Sequence, residues 1–244
     1  MKKRLAVVIL HYGSPELTTR LHRQLLDSDP DWGDLFVLDN NAPDPYPDAW
    51  ERLPQNLYWA GALDYTLERM ETEGFTHVWF LNNDLLFLNK PPILKNVWQR
   101  FQRLEKTIGP LGVYSPSTQR NPYHPQMVQD PEHQYRRACY VDGIAPLLSL
   151  ACVKDIGGVK FSGNKYGYGV DVALTLAAHN AGWPVIIDHQ IPIKHVYHST
   201  ARTINGFMDK ASLAEETYMR QVLGDDWRSA VDAAKCEYTD HDKM

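Results

Sequence analysis

The segment that most limits the fold of this chain is an apolar run, residues 77–81, that stops abruptly on Asn82, Asn83 and Asp84. A short continuous apolar run is typical of a strand that is buried on both faces. A carboxylate at the C-terminal end of such a strand lies at the edge where open α/β sheets place ligands and metals. The alternative is that Asn83 and Asp84 only form a turn, because both side chains hydrogen-bond readily to nearby backbone.

Strand and helix patterns alternate along the first half of the chain. Ser14 is a good N-cap, Pro15 suits the first helical turn, and leucines then recur every four residues. The Pro-rich segment 40–54 cannot continue the second predicted strand. The predicted strands of this half are 5–10, 34–39, 56–60 and 77–81, and the predicted helices begin at Ser14 and Gly61. This β-α-β-β-α-β order favours an α/β fold with a mostly parallel central sheet flanked by helices.

The second half is less regular. Segment 115–137 carries four prolines, and so long a loop in a compact domain is usually functional or disordered, so we expect a lid that presents Tyr123 and His124 to a ligand. Apolar and glycine patterns predict a strand over 112–114, just before this segment. After the segment they predict strands over 145–153, 185–188 and 193–197, and helices over 171–181 and 211–223.

Composition excludes several classes of protein. A chain of 244 residues with 43% hydrophobic content suits one domain, and a net charge of -5 without a basic block argues against nucleic acid as a partner. No apolar run approaches the roughly 20 residues of a transmembrane segment. Cys139, Cys152 and Cys236 suggest neither a disulfide framework nor a zinc ribbon, because they are odd in number and lack C-x-x-C spacing. We therefore expect a cytoplasmic protein, with peripheral contact at a membrane surface left open.

Three further positions could carry chemistry. Asp39 ends the second predicted strand and could share a crevice with Asp84, or it could cap a turn. Asp171 follows a glycine-rich segment and could be a helix N-cap or a general base. His195 and His198 lie three apart in a predicted strand, so their side chains point to opposite faces and at most one faces the crevice.

These motifs, in this order, resemble the GT-A glycosyltransferases of family 2, especially the rhamnosyltransferase-like branch. His11-Tyr12-Gly13 stands at the family's Asn-Tyr-Asn strand end, and Asp39-Asn40-Asn41-Ala42-Pro43-Asp44 resembles its Asp-Asn-x-Ser-x-Asp. Segment 56–64 resembles Asn-x-Gly-Phe-Ala-Gly-Gly-x-Asn, with Tyr58 and Ala62 in place of glycines. Asn82-Asn83-Asp84 is similar to the family's degenerate Asp-x-Asp motif.

The later motifs continue the resemblance. Val141-Asp142-Gly143 resembles the approach to the family's acceptor-side strand, and segment 156–161 resembles its Val-Gly-Gly-Phe-Asp-Glu turn. Asp171 falls on the second acidic residue of Glu-Asp-x-Asp-Leu. At that motif Val170, Ala173 and Ala177 replace the usual Glu, Asp and Arg.

The resemblance implies a role for each matching residue. Asp171 would be the catalytic base of an inverting enzyme, and Asp142 and Gly143 would contact the acceptor. Asp84 would bind a metal with His195, and His198 is the competing choice. Arg202 could clamp a diphosphate or be a solvated arginine. The donor-binding positions would be His11, Tyr12, Gly13, Asp39, Trp59, Gly61, Asp64, Asn82 and Asn83.

The implied activity is metal-dependent transfer of a hexosyl or deoxyhexosyl group from a UDP-, dTDP- or GDP-linked sugar to a glycan or other hydroxyl acceptor, with Mn²⁺ or Mg²⁺. The implied architecture is one GT-A domain with a small acceptor-side subdomain: a nucleotide-sugar half over 1–110, an acceptor half over 111–205 and a C-terminal helical segment over 206–244. A non-catalytic nucleotide- or glycan-binding module on this fold remains the alternative. A nucleotidyltransferase is disfavoured, since no Gly-rich phosphate loop follows the first strand.

Overall fold

The structure, a computed structural model, describes residues 3–196 and 206–243, and its centre is a ten-stranded sheet. The strands are β1 (Leu5–His11), β2 (Leu35–Asp39), β3 (Glu51–Arg52), β4 (His77–Asn82), β5 (Leu85–Phe87), β6 (Val113–Thr118), β7 (Tyr135–Ala138), β8 (Leu147–Ser149), β9 (Val185–His195) and β10 (Tyr238–His241). Their order is β10-β7-β9-β6-β8-β4-β1-β2-β3, and β5 pairs with β9 outside this path.

Helices cover both faces of the sheet. They are α1 (Pro15–Ser28), α2 (Tyr58–Thr72), α3 (Ile93–Ile108), α4 (Leu150–Asp155), α5 (Val170–Asn180), α6 (Phe207–Leu223) and α7 (Trp227–Cys236). The alternation of side chains along β1 explains the two cores, since Val7 and Ile9 pack in the cluster with α1 and α3, whereas Ala6 and Val8 pack in the cluster with α2 and α5. The predicted α/β class with a sheet between helices is confirmed.

The first half of the sheet is parallel, which brings strand ends together. β1 pairs in parallel with β2 and β4, and its register places His11 beside Asp39 and Leu10 beside Asn82. β6 and β9 are also parallel, whereas β8, β7, β5 and β10 join by antiparallel pairs. The predicted convergence of the ends of β1, β2 and β4 at one edge is therefore observed.

One prediction about the first half is wrong. Segment 56–60 is not a strand, because α2 begins at Tyr58 and the side chain of Asn40 accepts a hydrogen bond from Leu57 N (2.8 Å) and donates one to Tyr58 O (3.1 Å), which fixes the helix start. As predicted, segment 40–54 does not continue β2, which ends at Asp39, although it contains the short strand β3, which pairs with Leu38 and Asp39.

The second half differs more from prediction. Segment 145–153 divides at Ser149 into β8 and α4. The two predicted late strands form one strand, β9, which includes Pro192. The pairing of β9 with β6 shifts register between Pro116 and Ser117, and such irregularities are where a sheet accommodates proline. Segment 115–137 is partly regular, with β6 extending to Thr118 and β7 beginning at Tyr135. Tyr197, the predicted end of the last strand, lies outside the described residues.

Helix α3, helix α7 and strand β10 lie in segments for which we predict no element. Of the helices in the part of the chain that the structure describes, none has the length and apolar character needed to cross a membrane.

Candidate functional site

A cleft of about 600 Å³ lies at the ends of β1 and β4, on the edge that the sequence predicts. It collects most of the predicted site residues in one place. Those that line it are Tyr12, Trp59, Asn82, Asn83, Asp84, Asp142, Gly143, Asp171 and His195.

Asp84 and His195 are in contact in this cleft. The distance from His195 Nε2 to Asp84 Oδ1 is 3.0 Å, and both side chains are largely buried. The pair exists because β5, directly after Asp84, runs antiparallel to the end of β9 with Leu85 opposite His195. A carboxylate oxygen and an imidazole nitrogen are a donor set that suits a divalent cation such as Mn²⁺. Among the described residues, neither belongs to a cluster of three metal-ligating side chains, so further ligands would have to come from substrate and water.

Asp171 lies in the first turn of α5 and lines the cleft. Its Oδ2 accepts a hydrogen bond from Gly143 N at 2.6 Å, and burial raises the pKa of its carboxyl. Trp59 Nε1 donates to Gly143 O at 3.0 Å from α2. A Cβ on Gly143 would lie 2.7 Å from the Trp59 ring and 3.1 Å from Asp171 Cβ, so only glycine fits between them. Gly169 is the N-cap of α5, so Asp171 is not the N-cap that the sequence offered as one alternative, and it lines the cleft from the first helical turn.

Asp142 and Glu215 bring two more carboxyl groups to the same region. Burial, followed by the charge of Asp171, raises the pKa of Asp142 to about 7 and that of Glu215 on α6 to about 7. Asn121 donates a hydrogen bond to Asp142 Oδ2, which partly offsets the effect. Like charges that must share a site disfavour each other's ionised form. The cleft therefore holds carboxyl groups that can carry protons near neutral pH.

Asp39 and His11 lie beneath the cleft instead of lining it. Asp39 is fully buried, and it accepts hydrogen bonds from Ala42 N (2.8 Å) and Tyr46 N (3.0 Å) and pairs with Arg52 at 2.7 Å. His11 contacts Thr18 Oγ1 and the carbonyl of Asp44 through its two ring nitrogens. The turn-capping alternative for Asp39 thus describes its contacts in this structure. Gly13 follows β1 with a φ of 93° and does not line the cleft.

Asn83 has a similar structural role at the end of β4. Its side-chain amide donates to Thr18 Oγ1 at 2.9 Å and to Tyr12 O at 3.3 Å, which fastens the turn before Asp84 to α1 and β1.

Gly61 and Asp64 face a second, smaller pocket of about 380 Å³ beside α2. Tyr58 and Asn56 line both pockets, so the two are neighbours. Burial raises the pKa of Asp64, and the charge of Glu68 raises it further.

Aromatic rings form one wall of the main cleft. Tyr58 contacts Tyr166 edge to face at 5.2 Å, and Phe207 lies 6.3 Å from Tyr58 and 6.0 Å from Tyr168. Tyr58 holds a φ of 55°, a backbone conformation that residues other than glycine uncommonly adopt. Rings presented in this way can stack on the apolar faces of a sugar or a base.

The 115–137 segment also reaches the cleft. Tyr123, which is 49% exposed, and His124 both line it. Burial lowers the pKa of His124 to about 4, and its Nδ1 lies 3.2 Å from Tyr140 Oη. Two aromatic residues of the predicted lid therefore lie at the site.

Several lining residues are not predicted from the sequence: Tyr58, Tyr168, Glu215, Trp227 and Lys235. One signal could have indicated Glu215, since it shares a helical face with Ala211, Tyr218 and Met219, all buried, and a carboxylate on an apolar face is unusual. Arg202 and His198 lie outside the described residues.

Known proteins resemble this chain in sequence and in fold. No family model matches the chain. Uncharacterized proteins of Mycobacterium tuberculosis and Mycobacterium bovis are 27% identical over 206 residues, which covers 82% of this chain and 76% of each relative. The crystal structure of GalNAc-T7 with UDP, GalNAc and Mn²⁺ is similar with a TM-score of 0.54 at 8% identity. The chain has the GT-A glycosyltransferase fold.

The GT-A match covers 79% of this chain and 44% of the GalNAc-T7 chain, so this protein spans less than half the length of that structure. The fold accounts for the position of the cleft. In a GT-A sheet the ends of the first parallel strands form the ligand edge, and here β1 and β4 deliver Tyr12 and Asp84 to it.

Proposed function

We propose that this protein is an inverting glycosyltransferase of the family 2, rhamnosyltransferase-like type. It would transfer a sugar from a UDP-, dTDP- or GDP-linked donor to a hydroxyl group of a glycan or other acceptor. One observation carries the proposal. The Asp84–His195 pair and the Asp171 carboxylate line the same cleft of a GT-A fold, although they come from three distant parts of the chain.

Asp171 is the proposed base. An acceptor hydroxyl within hydrogen-bond reach of the carboxylate would lose its proton to Asp171 as the hydroxyl oxygen bonds to the anomeric carbon. The bond from that carbon to the nucleotide diphosphate breaks at the opposite face, which inverts the configuration. The raised pKa favours this role, because a more basic carboxylate accepts a proton more readily at neutral pH.

Asp84 and His195 are the proposed ligands of Mn²⁺ or Mg²⁺. A divalent cation there supplies positive charge against the departing diphosphate. Asn82 and Trp59 would contact the donor beside it, and Gly143 and Asp142 would border the acceptor. In this proposal residues 1–110 bind the donor, residues 111–205 bind the acceptor, and residues 206–244 close the acceptor side through Phe207 and Glu215.

The first test is Asp171→Asn. We expect transfer to fall about 10²- to 10⁴-fold, the usual contribution of a general base, because the amide cannot accept the proton. Thermal-shift titration with UDP, dTDP or GDP plus Mn²⁺ should show unchanged nucleotide binding, since ligands of the folded state raise its apparent stability. Transfer at the wild-type rate would refute the base assignment.

A non-catalytic nucleotide- or glycan-binding module is the second candidate. Val170, Ala173 and Ala177 favour it, because they leave Asp171 without the charged neighbours that the resemblance leads us to expect. Release of nucleotide diphosphate by the wild-type chain, with donor and acceptor mixtures present, separates the two candidates. Nucleotide binding without any donor cleavage would favour the module.

A further inference from the structure

Three metal-ligating side chains meet at a point remote in sequence from the Asp84–His195 pair. Cys139 directly follows β7, His179 lies in the last turn of α5, and Glu237 joins α7 to β10. The thiol sulfur, one imidazole nitrogen and one carboxylate oxygen all lie within 4.8 Å of one another. None of the motifs that match a glycosyltransferase includes these residues.

The ligand atoms of the three side chains indicate which metal ion they would bind. A thiolate, an imidazole and a carboxylate together are typical zinc ligands, whereas Mn²⁺ and Mg²⁺ prefer oxygen. Zinc–ligand bonds are about 2.0–2.3 Å long, so atoms this close need only small side-chain rotations to reach one ion. His179 and Glu237 are partly or fully exposed, which leaves room for such rotations and for water as a fourth ligand, whereas Cys139 is buried.

A second cluster of metal-ligating side chains differs, because one of its carboxylates already pairs with an arginine. Asp130, His133 and Asp240 also lie within 4.8 Å of one another. There, however, Asp240 accepts two hydrogen bonds from the Arg136 guanidinium at 2.7 and 2.9 Å, and a cation would face that positive charge. Within the described residues, by contrast, no ion pair involves His179 or Glu237. Cys139 Sγ donates only a weak hydrogen bond to Glu237 O at 3.3 Å.

We propose that Cys139, His179 and Glu237 bind one Zn²⁺ ion, which fastens the C-terminal helices to the acceptor half of the fold. Because α5 carries Asp171 in its first turn and His179 in its last, the ion would tie that helix directly to the segment between α7 and β10. This proposal does not depend on the proposed function. Burial raises the pKa of the Cys139 thiol, so zinc must displace a proton and binding should weaken as the pH falls.

The test uses the full chain freed of metal and titrated with Zn²⁺, and with Co²⁺ as a spectroscopic probe. We expect Zn²⁺ to raise the melting temperature of the wild type, and Co²⁺ to give the near-ultraviolet absorption of a cobalt–thiolate bond. Cys139→Ser and His179→Gln should abolish the cobalt–thiolate absorption or weaken Co²⁺ binding at least tenfold. His179→Gln is informative even if the buried Cys139 variant fails to fold.

Cys236→Ser is the matched control, because Cys236 adjoins Glu237 but is exposed and lies outside the cluster. Asp84→Asn is the second control, since it removes the other candidate cation site. Both should keep the absorption unchanged. Absence of cobalt–thiolate absorption in the wild type, its survival in His179→Gln with unchanged affinity, or its loss in Cys236→Ser alone would overturn the proposal.

Discussion

At the scale of single residues, the carboxyl groups around Asp171 decide how the proposed chemistry depends on pH. Asp171 is flanked in the chain by the uncharged Val170 and Val172, yet burial, followed by the charge of Asp171, raises the pKa values of Asp142 and Glu215 to about 7. Electrostatic interaction between two groups is reciprocal, so an ionised Glu215 must also raise the pKa of Asp171. The local field on the base is therefore set by residues from other elements.

Glu215→Gln should shift the acidic limb of the kcat/KM profile to lower pH. Removing the negative charge lowers the pKa of Asp171, so the active carboxylate persists in more acidic solution. The measurement is kcat/KM from pH 5 to 9 with saturating metal. A limb that moves to higher pH, or does not move, contradicts the coupling.

Glu216→Gln is the matched control for that experiment. Glu216 is the next residue on α6, but hydrogen bonds from Arg228 and Arg220 lower its pKa to about 2, and it faces those arginines. Its removal should leave the acidic limb in place.

Asp171 could be singled out from the sequence, because a glycine-rich segment, an apolar helix and Gly182 frame it in order. The sequence could mark Glu215 as an unusual carboxylate on an apolar helix face, but its proximity to Asp171 could not be predicted. That proximity comes from the packing of α6 beside α5, since Glu215 Cγ lies 3.3 Å from where a Cβ of Gly169 would stand. Local pattern predicts which helix a residue belongs to, but not which neighbour that helix meets.

At the scale of elements, the segment between β7 and β8 is held from three sides. Thr175 of α5 exchanges hydrogen bonds with the Val141 backbone, Asn82 N donates to Ile144 O, and Trp59 of α2 donates to Gly143 O. These contacts place Gly143 N against the Asp171 carboxylate. The geometry of the proposed base therefore depends on how α2, α5 and β4 pack together.

Gly143→Ala should reduce transfer strongly and stability moderately. The added methyl would meet the rigid Trp59 ring at 2.7 Å, so either the ring or Asp171 must move. Overpacking of this kind costs about 1–3 kcal/mol of unfolding free energy. The measurements are kcat and urea denaturation.

Gly33→Ala is the control for Gly143→Ala, because a Cβ at Gly33 meets nothing within 4 Å and its backbone conformation is ordinary. It should leave both kcat and stability unchanged. Equal effects of the two substitutions would contradict the steric argument.

The errors in predicted elements have specific tertiary causes. Segment 56–60 has strand composition, yet the Asn40 side chain from the end of β2 caps the backbone there and starts a helix. Segment 145–153 is uniformly apolar, and such a run is ambiguous between a buried strand and a buried helix. It forms both, because β8 is short and α4 then packs on the sheet.

At the scale of the whole molecule, the C-terminal strand β10 completes the far edge of the sheet. It pairs with β7, and the buried Arg136 guanidinium binds Asp240 and stacks on the Tyr238 ring at 3.8 Å. His189 Nε2 lies 3.3 Å from the same carboxylate. Contacts between residues about a hundred positions apart thus hold residues 206–243 to the rest.

Asp240→Asn should lower the unfolding free energy by about 2 kcal/mol at pH 7. The substitution leaves the buried Arg136 charge uncompensated, and we expect less than the roughly 3–5 kcal/mol of a fully buried pair because Asp240 is partly exposed. Urea denaturation provides the measurement.

Asp242→Asn tests whether the loss of any negative charge near β10 is enough to lower the unfolding free energy. Asp242 is 75% exposed and lies 3.4 Å from His133, so its loss should change stability by less than about 0.5 kcal/mol. A cost as large as that of Asp240→Asn would contradict the role of the buried arginine.

The global fold was predictable to the extent that strands and helices alternate locally. The parallel order of β1, β2 and β4 follows from that alternation. The addition of β10 does not, since no short-range pattern links residues 238–241 to residues 135–138.

The pairing of β5 with β9 determines whether Asp84 and His195 meet. Asp84 and His195 are more than a hundred residues apart in the chain, so their contact depends on the long-range pairing of β5 with β9. A slip of one residue would turn the imidazole to the other face of the sheet and leave the carboxylate without it. Asp84 and His195 therefore meet only in the register that places Leu85 opposite His195.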